Sequence, residues 1–477
     1  MEYPKGITAA HVQRVFAGAS DLVIHPLRLG SVEATAFFID GLTSGSEIAE
    51  LIIQPLTALK EQTAEALLDR CLSGGVWAAT ADLVEDMESL CLKLVNGFCV
   101  VVFDGLLRAA AFEAKTGEKR GISPPETEHT VKGPKDAFTE TVRTNTSLLR
   151  RHLRSPFLRL TPLQVGRRSL TNVTVVWLEG ITNPRLVQRL MKRLKAIDID
   201  GFLTPGAVEE YVTGSRATAF PLLRATERTD AFSRGILDGQ VGLLVDGLPL
   251  GYLMPVELSG FMTSPEDQGV DHVTASCIRV LRWTALLISL LLPALYAAMA
   301  TFHQELIPTK LLSSIIESKA QVPFPTVLEV LGLLAAFELL QEAGLHLPQA
   351  MGQTVSIIGG LVVGSAAVEA KLISPAALIV VSVAGICGFV IPGRELAGAI
   401  RVWRFVLAIG ASLGGLFGMT VGLIALLLHL GQLSSFGLSY LRPLDRASTG
   451  GIILRPRLVT DKFRDPGLAP EDLRKQK

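Results

Sequence analysis

Apolar residues follow two rhythms along this chain. Up to residue 282 they come in short runs separated by polar turns, and beyond it they lengthen into near-continuous stretches. The run Ala36-Phe37-Phe38-Ile39 ends in Asp40-Gly41-Leu42-Thr43 and leads into the helical pattern SEIAELIIQPLTAL. Further on, Val175-Val176-Trp177-Leu178 ends in Glu179-Gly180-Ile181-Thr182 and leads into NPRLVQRLMKRLKAI. Both predict strand, tight turn and amphipathic helix. A second pair repeats at nearly the same offset: LVNGFCVVVFDGLLRAAAFEA, with Asn96-Gly97 and Asp104-Gly105, and ILDGQVGLLVDGLPLGYLMPV, with Asp238-Gly239 and Asp246-Gly247. Such pairs tolerate the positive φ of two-residue hairpin turns, so each copy should present helix, strand, hairpin, strand.

The predicted fold class is an α/β soluble N-terminal region made of two similar subdomains, followed by an all-α polytopic membrane domain of about 4–6 spans. The expected domains are residues 1–115, the first cytoplasmic subdomain; 116–169, a linker and helical arm; 170–282, the second cytoplasmic subdomain; 283–431, the transmembrane domain; and 432–477, a basic cytoplasmic tail. The linker, TGEKRGISPPETEHTVKGPKD, is rich in Gly, Pro and charge. It runs into AFTETVRTNTSLLRRHLRS, where Arg143, Arg150, Arg151 and Arg154 make a basic face, read as solvated and paired with nearby acids.

In the apolar half, Trp283–Ala300 is uncharged and of spanning length, and Ser356–Ala370 with Ala376–Ile391 predict a hairpin of two spans. Thr326–Gly344 begins with a T-x-x-E capping box, Thr326 and Glu329. Within it Glu338, Gln341 and Glu342 share one face. Acids at membrane depth cost roughly 2.5–3.5 kcal/mol and normally face a bundle interior or water. These three, with Glu329 and Glu369, are therefore the pore or gate candidates. In Arg401–Leu430, Gly410, Gly414, Gly418 and Gly422 recur every fourth residue, and Gly360 and Gly364 form another such pair. Small residues at that spacing permit close helix packing, within one subunit or across a seam between subunits. If Thr326–Gly344 spans and Arg401–Leu430 folds into two crossings, six spans place Arg394, Arg401, Arg404 and the tail on the cytoplasmic side, which the positive-inside rule favours over a four-span arrangement.

Composition sharpens this division. The 477 residues carry 45 Lys+Arg against 45 Asp+Glu, with 49% hydrophobic and 19% charged. Length alone suggests roughly three domains. A mean hydropathy of +0.40 is high for a soluble chain, and the acids and bases concentrate outside residues 283–431. Neutrality argues against nucleic-acid binding driven by net charge. The five cysteines, Cys71, Cys91, Cys99, Cys277 and Cys387, are scattered and never spaced as CxxC, so neither a disulfide framework nor a zinc site is predicted. GxxxxGK[ST], GxGxxG after a strand, HExxH and GxSxG are absent from residues 1–282, so no enzyme activity, cofactor or metal is expected. The N-terminus lacks the features of a secretory signal.

Long runs carry a family likeness. PFPTVLEVLGLLAAFELLQEAGLHLPQAMGQTVSIIGGLVVGSAAVEAKLISPAALIVVSVAGICGFVIP, together with FPLLRATERTDAFSRGILDGQVGLLVDGLP, VKGPKDAFTETVRTNTSLLRRHLR, IDIDG and SSFGLSYLRPL, closely resembles the A subunits of GerA-family spore germinant receptors. A sister family, stage V sporulation protein AF, shares the fold, but ELLQEAG and LPQAMGQ look more like the receptor subunits. The resemblance implies a multi-pass protein of the spore inner membrane with its N-terminal domain facing the core. It implies a pentameric homo-oligomer conducting monovalent cations, partnered by a transporter-like B subunit and a lipoprotein C subunit and surrounded by membrane lipid, without nucleic acid. A non-conducting relay scaffold and a secondary transporter are the alternatives; residues 283–431 show no internal repeat of the kind transporters carry.

Overall fold

A computed structural model describes residues 3–76, 80–115, 124–128, 130, 132–214, 217–346, 364–442 and 453–476. The chain divides into two compact units, one of Met1–Arg216, Leu222–Val256 and Leu458–Lys477, the other of Ala217–Pro221 and Glu257–Arg457.

The first unit holds two five-stranded sheets. Strands β1 (Leu22–Leu29), β2 (Val32–Ile39), β3 (Ala81–Val84), β4 (Phe98–Phe103) and β5 (Ala109–Glu113) lie in the order β1-β2-β4-β5-β3. Strands β6 (Leu158–Val165), β7 (Thr171–Leu178), β8 (Arg224–Thr226), β9 (Val241–Val245) and β10 (Gly251–Met254) repeat that order as β6-β7-β9-β10-β8. All ladders in both sheets are antiparallel. The duplication is therefore topological as well as sequential, and its strands connect through hairpins and helical excursions rather than parallel crossovers.

Layering follows from alternation along the strands. In the first sheet Phe37, Ile39, Val100 and Val102 pack with Leu90, Cys91 and Leu94 of the Met87–Val95 helix. Their neighbours Ala36, Cys99, Val101 and Phe103 pack on the opposite face with Ile48, Ile52, Leu56 and Leu67. A sheet covered on both faces has near-continuous apolar central strands, and β4 is buried at every position. Cys71, Cys91 and Cys99 belong to these cores, where burial pushes their thiols up to about 12.

Three turn and boundary expectations change. Asn96-Gly97 and Asp238-Gly239 are not hairpin turns: Asn96 and Gly239 end the helices Met87–Val95 and Thr229–Asp238, and Gly97 and Gly239 hold φ of 84° and 100°. Only Asp104-Gly105 and Asp246-Gly247 open hairpin loops, and these run longer than two residues, from Phe103 to Ala109 and from Val245 to Gly251. The second sheet begins at Leu158, inside the segment read as linker and arm, because β6 pairs with β7 along its whole length.

The arm's basic face is solvated at Arg143, Arg151 and Arg154, but not at Arg150. Arg150, on the Val142–His152 helix, is 1% exposed and gives Asp21 two hydrogen bonds of 2.7 and 2.8 Å, with the Ser155 and Leu158 carbonyls taking two more. Arg143 pairs with Asp40, and the Ser147 hydroxyl donates to the Gly41 carbonyl at 2.6 Å. These contacts join the two subdomains, because Asp21, Asp40 and Gly41 flank the first sheet. Described parts of the linker are held by buried Arg228, which donates to Thr130 and to the Pro134 carbonyl, and by Glu227, which accepts from the Thr127 hydroxyl. The end of the expected tail docks too: Arg464, whose side chain is buried, donates to the carbonyls of Leu237, Asp472 and Arg474, and Lys475 pairs with Asp238.

The second unit is helical, with helices His272–Thr301, Thr309–Lys319, Thr326–His346, Gly364–Glu369, Pro375–Phe389 and Arg394–Gln432 among the described residues. His272–Thr301 and Arg394–Gln432 are long and apolar enough to cross a membrane; Pro375–Phe389 is apolar but shorter. The expected span Ser356–Ala370 falls mostly outside the described residues, as does Gly360. Asp271 caps the first long helix, accepting from the Val273 and Thr274 backbones and the Thr274 hydroxyl, which holds its carboxyl down at about 2.

Arg394–Gln432 is not one rod. At Gly414 (φ −138°, ψ 20°) and Gly415 (φ 59°, ψ −141°) the helical path breaks. Residues eight apart in a continuous helix lie about 12 Å apart along the axis. Yet a methyl group on Gly418 would come within 2.0 Å of the Gly410 carbonyl oxygen, and one on Gly422 within 2.8 Å of Leu407. The chain therefore reverses at Gly414-Gly415 into a helical hairpin whose arms touch through glycine. Arms of roughly 17–20 residues rise about 25–30 Å each, close to the hydrocarbon thickness of a bilayer. Gly410, Gly418 and Gly422 thus pack within the subunit. Gly418→Ala should destabilise the hairpin by about 1–3 kcal/mol, since a backbone carbonyl cannot swing aside as a side chain can. Gly414→Ala, with nothing within 4 Å of the added carbon, should stay near wild type. Melting of the detergent-solubilised variants checks this contrast.

Candidate functional site

The helical unit buries charge. Arg404, on the first arm of the glycine hairpin, has a side chain only 2% exposed. Its Nη2 stands 3.9 Å from Glu338 Oε1 on the Thr326–His346 helix. Arg401, one turn earlier, reaches Glu338 Oε2 at 3.3 Å and Gln341 Oε1 at 3.0 Å through Nη1. One carboxylate thus faces two guanidinium groups. Nε and Nη1 of Arg404 and Oε1 of Glu338 make no hydrogen bond among the described residues.

Glycine opens the slot that Arg404 occupies. A methyl group on Gly388 would sit 3.3 Å from Ser289 Oγ and 3.6 Å from Arg404 Nη2, and one on Gly385 would strike the Phe337 ring at 2.5 Å. The Pro375–Phe389 helix therefore approaches closely enough to wall the charge in. Ser289 Oγ is also buried without a hydrogen bond among the described residues. In a low-dielectric surrounding a part-satisfied polar cluster is costly, so it persists where the surrounding packing holds it or where its charges move in use.

The capping box is not formed. Thr326 Oγ1 makes no hydrogen bond among the described residues, and Glu329 turns to a neighbour, its Oε2 accepting from the Ser374 amide at 2.9 Å and the Ser374 hydroxyl at 2.6 Å. Ser374 is the N-cap of Pro375–Phe389, whose N-terminal amides and dipole favour a carboxylate more than the helix's own first turn does. Glu329, 3% exposed, is placed as a clasp between two helices.

The five polar candidates therefore separate. Glu338 and Gln341 meet at Arg401, Glu329 lies at Ser374, and Glu342 and Glu369 are exposed, the latter ending the Gly364–Glu369 helix. Of the glycines, Gly364 lies against Leu378 and Gly414 forms the hairpin bend. Arg401 and Arg404, read above only as markers of sidedness, turn out to be the partners. A charged residue inside an apolar run needs an intramembrane partner, and that rule would have matched them to Glu338. Gly385 and Gly388 escaped notice because they are three residues apart, outside the four-residue stripe.

Comparison with known proteins covers nearly the whole chain. The profile of the family described as Bacillus/Clostridium GerA spore germination protein matches residues 10–465. The chain is 34% identical over 474 residues to "Spore germination protein KA" of Bacillus subtilis (strain 168), covering 97% of this chain and 86% of that protein. It is 35% identical over 360 residues to "Spore germination protein A1" of the same organism, covering 76% and 75% respectively. Among solved structures, the N-terminal domain of the A subunit of the Bacillus megaterium spore germinant receptor GerK3 is similar at 27% identity and a TM-score of 0.41, over 53% of this chain and 96% of that one.

Proposed function

Because the chain belongs to the GerA family of Bacillus/Clostridium spore germination proteins, we propose that it is the A subunit of a spore germinant receptor and forms its cation-conducting part. It acts in the spore inner membrane, with its N-terminal unit on the core side, as a homo-oligomer beside a transporter-like B subunit and a lipoprotein C subunit. It carries no catalytic role and no cofactor.

The observation that carries the reading is the Arg404–Glu338–Arg401 cluster, charge held inside an apolar helical unit. The cluster also changes how the acids work. Two arginines of the same chain neutralise Glu338, so it does not serve as an open ring of acids lining a pore. It acts as a latch: separating the Glu338 helix from the glycine hairpin on nutrient binding breaks the pair and frees a carboxylate to attract a monovalent cation. Glu342 is exposed on the same helix.

The same neutralised pair also suits a relay that moves no ions, and planar-bilayer recording separates the two. Reconstituted with its B and C partners, the protein should give nutrient-dependent unitary potassium currents. Reproducible absence of currents from an assembled, nutrient-binding complex assigns it to the relay.

A further inference from the structure

The two subdomains are alike in topology and unlike in charge at one equivalent place. The connection from β7 to β8 begins with the helix Pro184–Lys195, PRLVQRLMKRLK, which carries five basic residues and no acid. It buries Val187, Leu190 and Leu194 against its own sheet and turns Gln188, Lys192 and Lys195 to solvent. With Met191 and Ala196 these three line an open, shallow surface depression whose exposed lining is mainly apolar. The connection from β2 to β3 begins with the corresponding helical stretch, Gly45–Ala58, which carries Glu47 and Glu50 and no base. It buries Ile48, Ile52 and Leu56 and turns Glu47, Glu50, Leu51 and Gln54 outward. Leu51 is 39% exposed, an apolar side chain following the two acids.

The two faces match in sign. Each face uses the i, i+3, i+4, i+7 spacing of one helix side. An exposed leucine beside two carboxylates thus has as its counterpart an apolar Met191–Ala196 surface beside two lysines. Both faces are exposed in one chain, so the occupant they suit is a second copy of that chain.

We propose that the outer face of Pro184–Lys195 in one copy docks on the Glu47–Gln54 face of the next. Because the two patches differ, the contact is heterologous, and every copy keeps one free patch of each kind until a ring closes. Duplication followed by opposite charging of one helix pair supplies a head-to-tail joint. The inference rests on the homo-oligomer in the reading above and gives it a surface.

The test uses the full-length protein in membranes. With Cys277→Ser to remove the exposed native thiol, Leu51→Cys and Met191→Cys in one chain should give, on oxidation, a ladder of covalent multimers that neither single variant gives. Lys192→Glu with Lys195→Glu should abolish the ladder, and adding Glu47→Lys with Glu50→Lys should restore it. Two results overturn the proposal. One is absence of the ladder from a complex whose size shows it assembled. The other is a lysine variant that keeps its oligomer but loses binding to vesicles containing anionic lipid, which assigns the basic face to the bilayer. Nutrient-dependent potassium currents report separately on the receptor reading: normal currents without the ladder remove this interface alone.

Discussion

Glu338→Leu is expected to remove most of this protein from the cell. The substitution leaves Arg404 with its side chain 2% exposed and no facing carboxylate. Removing one partner of a buried pair costs about 3–5 kcal/mol, because the remaining charge keeps its full desolvation penalty. Cellular abundance responds several-fold to 1–2 kcal/mol, so a drop of roughly tenfold or more is expected by quantitative immunoblot. Arg404→Leu added to the same chain should return abundance close to wild type. With both members gone no buried charge is stranded, and apolar replacement of such pairs is often neutral or stabilising. Arg401 does not spoil the rescue, since its guanidinium is 35% exposed and keeps its hydrogen bond to Gln341. A double variant as scarce as the single one would mean that the arginine, not its pairing, holds the helices together.

Arg150→Met should loosen the joint between the two subdomains of the soluble unit by a comparable amount, about 3–5 kcal/mol. It strands Asp21, whose side chain is 11% exposed, and the carbonyls of Ser155 and Leu158. Hydrogen exchange of the full-length protein should then show faster exchange along Val142–His152 and β6, while the β4 and β5 amides, held within the first sheet, stay protected. Asp21→Asn should be milder, because the amide oxygen still accepts one of the two guanidinium bonds. Uniform loss of protection across both sheets would contradict a joint confined to this helix.

Much of the soluble fold was legible. β2, β4, β7 and β9 announce themselves because central strands covered on both faces become apolar runs, and an Asp-Gly pair, or Glu179-Gly180 after β7, marks each end. The first strand of each sheet was missed for a shared reason. β1 and β6 carry Pro26 and Pro162, opposite Thr35 and Thr174, and proline within a run argues against a strand unless that strand lies at an edge. Both do. The site was less legible. Glu338 stood out as an acid in an apolar segment, but its partners lie 63 and 66 residues away on another helix, beyond any local pattern. The T-x-x-E motif misled because Ser374, equally remote, offers Glu329 better donors than its own helix start. Buried arginines recur as the residues that composition and spacing misplace, since a guanidinium reads as surface until its carboxylate is found.

The central claim is that breaking the Arg404–Glu338 pair opens the path. The measurement that tests it most directly is planar-bilayer recording of the Glu338→Leu, Arg404→Leu double variant, reconstituted with its B and C partners at wild-type protein amounts. The latch account predicts potassium currents that no longer depend on nutrient, either always present or absent altogether, because the charge that closes and then attracts the ion has been removed. Currents that open with nutrient as in the wild type would contradict it.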